Sequence, residues 1–293
     1  MKPRIAITEG DPAGIGPEIA AKAARDPRVL AVCEPVVYPS TPSSLIAIGQ
    51  VSPQAGRAAF DTIVRAVEDA KHNVVQGIAT APVNKAAFAA AGLGWKGHTD
   101  LLAHLCNVSE VAMMFHSPKL RVVLATVHVA LRDVPRMITR DLILDTLRLA
   151  AQELPYFGVP HPRLAVAGLN PHAGEGGLMG HEEVDVIIPA VREAVHEGLN
   201  VQGPLPADTV FVRAVRGEFD CVLACYHDQG LVPVKLASFG SAVNVTLGLP
   251  IVRTSPDHGT AFDIAGKGVA DHNSMVEAVV LAADLARHME PAR

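Results

Sequence analysis

Aromatic side chains are scarce: Phe, Tyr and Trp together make up 4% of the 293 residues, with a single Trp. A core has to be filled instead by Ala, Val, Leu and Ile, the aliphatic set of helices packed on a sheet. No apolar run reaches the roughly 18 residues of a membrane span, so no membrane partner is expected. Lys and Arg number 25 against 30 Asp and Glu, and no basic cluster stands out. With a net charge of −5, that distribution argues against nucleic acid or an anionic membrane as a partner. The four cysteines, Cys33, Cys106, Cys221 and Cys225, lack zinc-ribbon spacing, and a chain this long needs no disulfide framework. Cys221 and Cys225 lie an even number of residues apart in one predicted strand and are expected to face the same side of a sheet as buried thiols. The opening residues MKPRIAITEGDP have no apolar stretch followed by a small-residue cleavage site, and a reducing cytoplasm is the expected location. Absent too are HxH and HExxH patterns, internal repeats, and a GxSxG element after any strand, so a Ser-His-Asp hydrolase finds no support.

What the chain does have is a regular alternation of short apolar runs and helix-period segments. Strands are predicted at 4–8, 36–38, 77–80, 111–115, 121–127, 164–169 and 221–225, and helices at 55–71, 139–154 and 182–197. That rhythm predicts an α/β fold of two lobes with a largely parallel central sheet, its edges open to antiparallel strands. The segment 203–209, GPLPADT, reads as a proline-stiffened loop. Asp100 or Thr99 is placed to cap a helix running through Leu105. The glycine-rich turn after the first strand, EGDPAGIGPEI at 9–19, stands where a dinucleotide loop would stand, yet Gly14-x-Gly16 is followed by Pro17 and Glu18 with no third glycine. A tight strand-to-helix turn is the simpler reading.

Chemistry concentrates where strands end. The stretch 219–273 contains several such ends, and in open α/β sheets ligands bind beyond the carboxyl ends of strands. Of the thirteen histidines, His128, His172 and His227 each follow a strongly apolar run directly. If those strands are neighbours, three imidazoles converge, the donor set of a catalytic divalent-metal site with an open position; the plain alternative is hydrogen bonding within loops. Asp208 and Asp228 are candidates to orient the imidazoles or to touch substrate, or else ordinary turn and cap residues. Lys235, Asn244 and Arg253, expected at strand or loop positions, supply two cations and an amide suited to a small anionic molecule. The glycines at 174–177 either approach an anion through backbone amides or simply turn the chain.

At these residues the sequence resembles the 4-hydroxythreonine-4-phosphate dehydrogenase family along nearly its whole length. The resemblance is carried by GDPAGIGPE at 10–18, GHT at 97–99, ATVHVALRD at 125–133, GLNPHAGEGG at 168–177, GPLPADT at 203–209, YHDQGLVPVK at 226–235 and VNVTLGLPIVRTSPDHGTAFDIAG at 243–266. It implies an isocitrate/isopropylmalate-dehydrogenase-like fold and a homodimer with active sites at the subunit interface. It also implies NAD or NADP, one divalent metal ion (zinc, magnesium or cobalt) and a place in pyridoxine biosynthesis. Transferred position by position, His128, His172 and His227 become metal ligands. His98, Thr99, Lys235, Asn244 and Arg253 become substrate contacts, and Asp208 and Asp228 site neighbours. The segment 258–268 resembles the superfamily's adenosine-side loop, which assigns cofactor contact to Gly259, Thr260, Asp263, Ile264 and Asn273. The implied division is a nucleotide-side lobe over 1–95, a metal, substrate and dimerisation lobe over 96–247, and a return to the first lobe over 248–293. One departure is a shortened region between Val36 and Gly77. Relatives outside vitamin B6 synthesis oxidise four-carbon phosphorylated sugar acids or a dicarboxylated cyclic dihydrodiol, so these are the alternative substrates. A metal-dependent hydrolase or aldolase without nicotinamide is the rival class.

Overall fold

A computed structural model describes residues 2–41, 43–95, 97–238 and 240–289. Its strands are β1 (Arg4–Thr8), β2 (Glu34–Tyr38), β3 (Gly77–Thr80), β4 (Ala112–His116), β5 (Arg121–Leu124), β6 (Leu164–Ala167), β7 (Val201–Leu205), β8 (Cys221–Ala224), β9 (Val243–Leu247) and β10 (Arg253–Pro256). The chain divides into two compact units, one built from 1–111 and 243–293, the other from 112–242. The sequence reading drew these boundaries at 95 and 247. The first shifts because Trp95, Leu101, Leu102, Leu105, Val108 and Val111 pack into the core of the first unit, so the helix His98–Leu105 belongs there.

In the first unit the strands run in the order β2-β1-β3-β10-β9, parallel except for β9 against β10. β1 and β3 are buried on both faces, as near-continuous apolar strands of a parallel sheet should be. The helix Pro53–Lys71 opens with Ser52, whose hydroxyl accepts from Ala55 N, and Pro53, a favoured start. It buries Ala59, Ile63, Ala66, Val67 and Ala70 against Ala6 and Ile78. The second unit has the order β4-β5-β8-β6-β7, with β4 and β5 antiparallel and the rest parallel. Its core places Val122, Leu124, Ala165, Ala167, Val222 and Ala224 of the sheet beside Val210, Phe211, Leu231 and Val234.

Three segments differ from the sequence reading. Residues 201–205 form edge strand β7 and Ala207–Val215 a helix, where a loop was expected; Pro204 is tolerated because an edge strand leaves donor positions unused. Residues His227–Ser238 are helical, so Lys235 lies on a helix. Gly230 and Pro233 lower its propensity and hid it, but Leu231 and Val234 bury into the core and tertiary packing prevails. The helix Glu182–Glu197 was expected to be continuous; it starts instead as a wide π turn at Glu183–Ile187 before Ile188–His196. All four cysteines are free thiols, Cys33, Cys221 and Cys225 buried and Cys106 half-buried. Burial pushes the first two pairs of thiols upward alike, Cys33 and Cys106 to about 11 and Cys221 and Cys225 to about 12.

The turn between β1 and the helix Gly16–Ala23 holds its glycine for packing. A Cβ on Gly16 would stand 1.9 Å from the carbonyl oxygen of Glu9, and backbone cannot yield as a side-chain tip would. Gly16→Ala is therefore expected to lower stability by about 1–3 kcal/mol although Ala is the better helix former; a thermal-unfolding midpoint equal to that of the unaltered chain would contradict this.

Candidate active site

In the second unit, β8 lies between β5 and β6, all three parallel, so their carboxyl ends leave the sheet along one edge. Buried side chains tie those ends together. Thr126 donates its hydroxyl to Cys225 O (2.7 Å), Gln229 Oε1 accepts from Cys225 N (2.6 Å), and Gln229 Nε2 donates to Gly168 O (2.7 Å). His128 and His227 follow from this edge with ring centroids 5.4 Å apart and planes inclined by 39°. Together with Thr126, Tyr226 and Asp228 they line a cavity of about 280 Å³. His227 Nδ1 stands 2.7 Å from Asp228 Oδ1. That contact orients the ring through Nδ1, as a carboxylate beside a metal-binding imidazole does.

His172 leaves the same edge after β6, in an uncommon backbone. Residues 172–176 are left-handed throughout, with φ of 54°, 54°, 77°, 43° and 68°. His172, Ala173 and Glu175 are not glycine, and each left-handed non-glycine residue costs about 1–2 kcal/mol. His128 is left-handed too, at φ 53°. His172 Nδ1 lies 3.4 Å from Glu175 Oε1, again an imidazole beside a carboxylate. Among the described residues no three His, Cys, Asp or Glu side chains are gathered closely enough to hold a metal ion. The structure thus pairs His128 with His227 and does not bring His172 into a group of three. Asp208 is exposed in the first turn of its helix, and Lys235 is half-buried.

In the first unit, Arg253 on β10 is 2% exposed. Its guanidinium donates to Thr80 Oγ1 from Nη2 (2.9 Å) and Nε (3.2 Å) and to Thr246 Oγ1 from Nη1 (2.9 Å). Hydroxyls carry no charge, and burial pushes the guanidinium down to about 9. Asn244, opposite Ser255 in the β9–β10 ladder, has a buried, unpartnered Oδ1, and so does His98 at Nε2. Burial, and after it the charge of Arg253, holds the His98 imidazole well below its usual range and therefore neutral. Among the described residues the side-chain acceptors of this buried cation are hydroxyls, and a buried cation without a paired anion is costly to keep. Thr99 follows His98 in the first turn of the helix His98–Leu105, whose N-cap is Gly97 with no side-chain bond; neither Thr99 nor Asp100 caps it. Thr80 and Thr246 were not singled out in the sequence, because a hydroxyl inside an apolar strand carries no signal of what it will hold.

The candidate cofactor segment packs on the glycine-rich turn of the same unit. Ile15 N donates to Thr260 O at 3.0 Å. Lys22 Nζ reaches Gly268 O (3.0 Å) and Ala270 O (3.2 Å), and Ala270 N donates to Glu18 Oε1 (3.0 Å). Gly259 and Asp263 are exposed and Ile264 half-buried, while His258 Nε2 is enclosed without a partner. Asn273 Oδ1 accepts from Arg28 (2.9 Å) at the start of the last helix.

Comparison with known proteins shows the fold and the family. The fold is that of the isocitrate dehydrogenase class: the enzyme of Methylococcus capsulatus superposes with a TM-score of 0.55 over 98% of this chain and 88% of that one at 18% identity. Within that class, residues 13–282 match the family model described as pyridoxal phosphate biosynthetic protein PdxA, and the chain belongs to this family. The 4-hydroxythreonine-4-phosphate dehydrogenase of Beijerinckia indica is 45% identical over 92% of this chain and 91% of that protein. The D-threonate 4-phosphate dehydrogenase of Cupriavidus necator is 44% identical over 97% of each. The crystal structure of 4-hydroxythreonine-4-phosphate dehydrogenase from Klebsiella pneumoniae superposes with a TM-score of 0.88, covering 99% of both chains at 40% identity.

Two expectations follow from the buried groups. Arg253→Met should raise the unfolding free energy of the ligand-free protein by about 1–2 kcal/mol, since it removes a buried charge whose described acceptors are hydroxyls. Added inorganic phosphate should stabilise the unaltered protein and leave the variant unmoved; equal stabilisation of both would remove Arg253 from the anion site. The second expectation concerns acid. His98, and His116 lowered to about 3 by burial and then by Arg121, stay neutral in the fold, while an unfolded imidazole takes up a proton near 6.5. Stability is therefore full above about 6.5 and falls as pH drops through that value, by at most about 1.4 kcal/mol per pH unit for each histidine. His116→Gln should flatten that slope in urea midpoints taken at pH 7 and pH 5.

Proposed function

We propose that this chain is a metal-dependent, NAD(P)-linked dehydrogenase that oxidises the secondary alcohol of 4-phosphooxy-threonine in pyridoxine biosynthesis, the β-keto acid product then losing carbon dioxide. The observation that carries the reading is Arg253, a permanent cation buried against hydroxyls in a family whose relatives are named for phosphorylated hydroxy acids. Arg253 takes the anionic group of the substrate, with Asn244 and the neutral His98 as hydrogen-bonding partners and Thr99 and Lys235 as further contacts. Such a clamp converts binding energy into a fixed orientation of the reacting carbon.

The donor set suits a divalent ion: imidazoles paired with carboxylates, His227 on Asp228 and His172 on Glu175. His128, His172 and His227 would hold zinc, magnesium or cobalt, which would supply a Lewis acid to lower the pKa of the alcohol. Gly259, Thr260, Asp263, Ile264 and Asn273 on and beside the 258–268 loop would hold NAD or NADP, which would supply the hydride acceptor. Asp228 fixes the ring of His227 through Nδ1, and Asp208 is a second carboxylate of the site. The second unit leaves Leu178 and Leu236 each 84% exposed, along with Leu131 at 65% and Val232 at 55%. The homodimer with shared active sites belongs to the same reading, these exposed side chains being candidates for its seam.

A second substrate has its own support. The relative named for D-threonate 4-phosphate is 44% identical and the one named for 4-hydroxythreonine 4-phosphate 45%, so identity does not separate a 2-amino from a 2-hydroxy four-carbon phosphate. A panel of both compounds and a cyclic dihydrodiol dicarboxylate, with NAD and NADP and each divalent ion, is read by the absorbance of reduced nicotinamide. The 4-phosphooxy-threonine assignment requires the highest kcat/KM on that compound. Metal-dependent hydrolysis with no reduction of nicotinamide by any of them would transfer the chain to the hydrolase or aldolase class. His227→Ala should lose several kcal/mol of transition-state stabilisation, about a thousandfold in kcat/KM, with its unfolding midpoint little changed.

A further inference from the structure

We propose that Glu183 is a positioning residue for His172: its buried carboxylate holds in place the left-handed turn that presents this imidazole. The proposal deepens the reading above and rests on His172 being a metal ligand. Glu183 is 1% exposed and opens the π turn Glu183–Ile187, a rare insertion that occurs most often at functional sites. Both of its oxygens are engaged by Asn170, the residue that leads into the turn. Oε1 accepts from Asn170 N (2.7 Å) and Oε2 from Asn170 Nδ2 (2.9 Å). The same amide also donates to Glu182 Oε2 (2.7 Å), so two carboxylates grip one side chain. Asn170 O in turn accepts from Ala173 N (3.1 Å), and Gly174 O accepts from Met179 N (3.1 Å), which closes the turn at both ends.

The turn rests directly on the carboxylate. A Cβ on Gly174 would stand 2.6 Å from Glu183 Oε2, and Gly174 has φ 77°, so clearance and handedness both require glycine there. A left-handed run that includes His172, Ala173 and Glu175 persists only where its surroundings over-determine it. The buried carboxylate, the doubly held amide and the glycine are those surroundings. A carboxylate that served the fold alone would leave the imidazole's affinity for metal untouched once the protein is folded; a positioning carboxylate would not.

The test uses the full-length protein, stripped of metal by chelation and titrated with Co²⁺, the visible absorption of the bound ion giving the affinity and thermal unfolding giving the folded fraction. Glu183→Ala is expected to weaken Co²⁺ binding by about 10- to 100-fold in the fraction that remains folded, in the same direction as His172→Ala. Unchanged affinity with only a lower unfolding midpoint would overturn the proposal. If the alanine variant does not fold, Glu183→Gln decides. It keeps the side chain's shape and one oxygen for Asn170 N, but turns an N–H toward Asn170 Nδ2. A several-fold loss of affinity is expected, and affinity equal to that of the unaltered protein overturns the proposal here as well. Silence of the unaltered protein toward Co²⁺ would overturn the metal reading itself, and the proposal with it, and is told apart because no variant is needed to see it.

Discussion

The site in the second unit depends on one buried amide. Gln229 accepts from the backbone of Cys225 and donates to that of Gly168, satisfying polar groups just beyond β8 and β6 that would otherwise be left unpaired where the ladder stops. Thr126 repeats the device toward β5. With the three strand ends fixed against one another, the positions of His128, His172 and His227 follow from the short segments leaving that edge. Two of those segments take a left-handed step at the histidine itself. The strain sits at two of the candidate histidines, and rigid strands behind them hold it.

In the first unit the governing constraint is electrostatic. Arg253 is buried on β10 with Thr80 and Thr246 as its acceptors, and it disfavours a second positive charge nearby, which is part of why His98 remains neutral. Among the described residues no carboxylate is paired with this guanidinium, so its burial costs stability. That arrangement makes sense for a protein whose ligand brings the missing negative charge.

Much of this was legible in the sequence because apolar runs ending abruptly in polar residues are hard to mistake. The runs ending before His128, His227 and His172 were legible as strands, while their being neighbours, in the parallel order β5, β8, β6, was only a condition until the structure gave it. Less legible were elements in which tertiary packing overrules local preference. The helix His227–Ser238 carries Gly230 and Pro233, and the strand Val201–Leu205 carries Gly203 and Pro204. Thr80, Thr246, Gln229 and Glu183 were invisible for a different reason. Each acts on a backbone or side chain distant in sequence, and nothing in a Thr, a Gln or a Glu announces its partner. The boundary near residue 111 was hidden likewise, since Leu101 and Leu102 reveal their unit only by what they pack on.

The sulfur chemistry of the chain is quiet. With every thiol pushed up to about 11 or 12, the thiolate that would capture a soft ion or attack a disulfide is nearly absent at neutral pH. Burial of Cys33, Cys221 and Cys225 also keeps those thiols out of reach of an ion arriving from solvent. Air oxidation has only Cys106, the half-buried thiol, within easy reach.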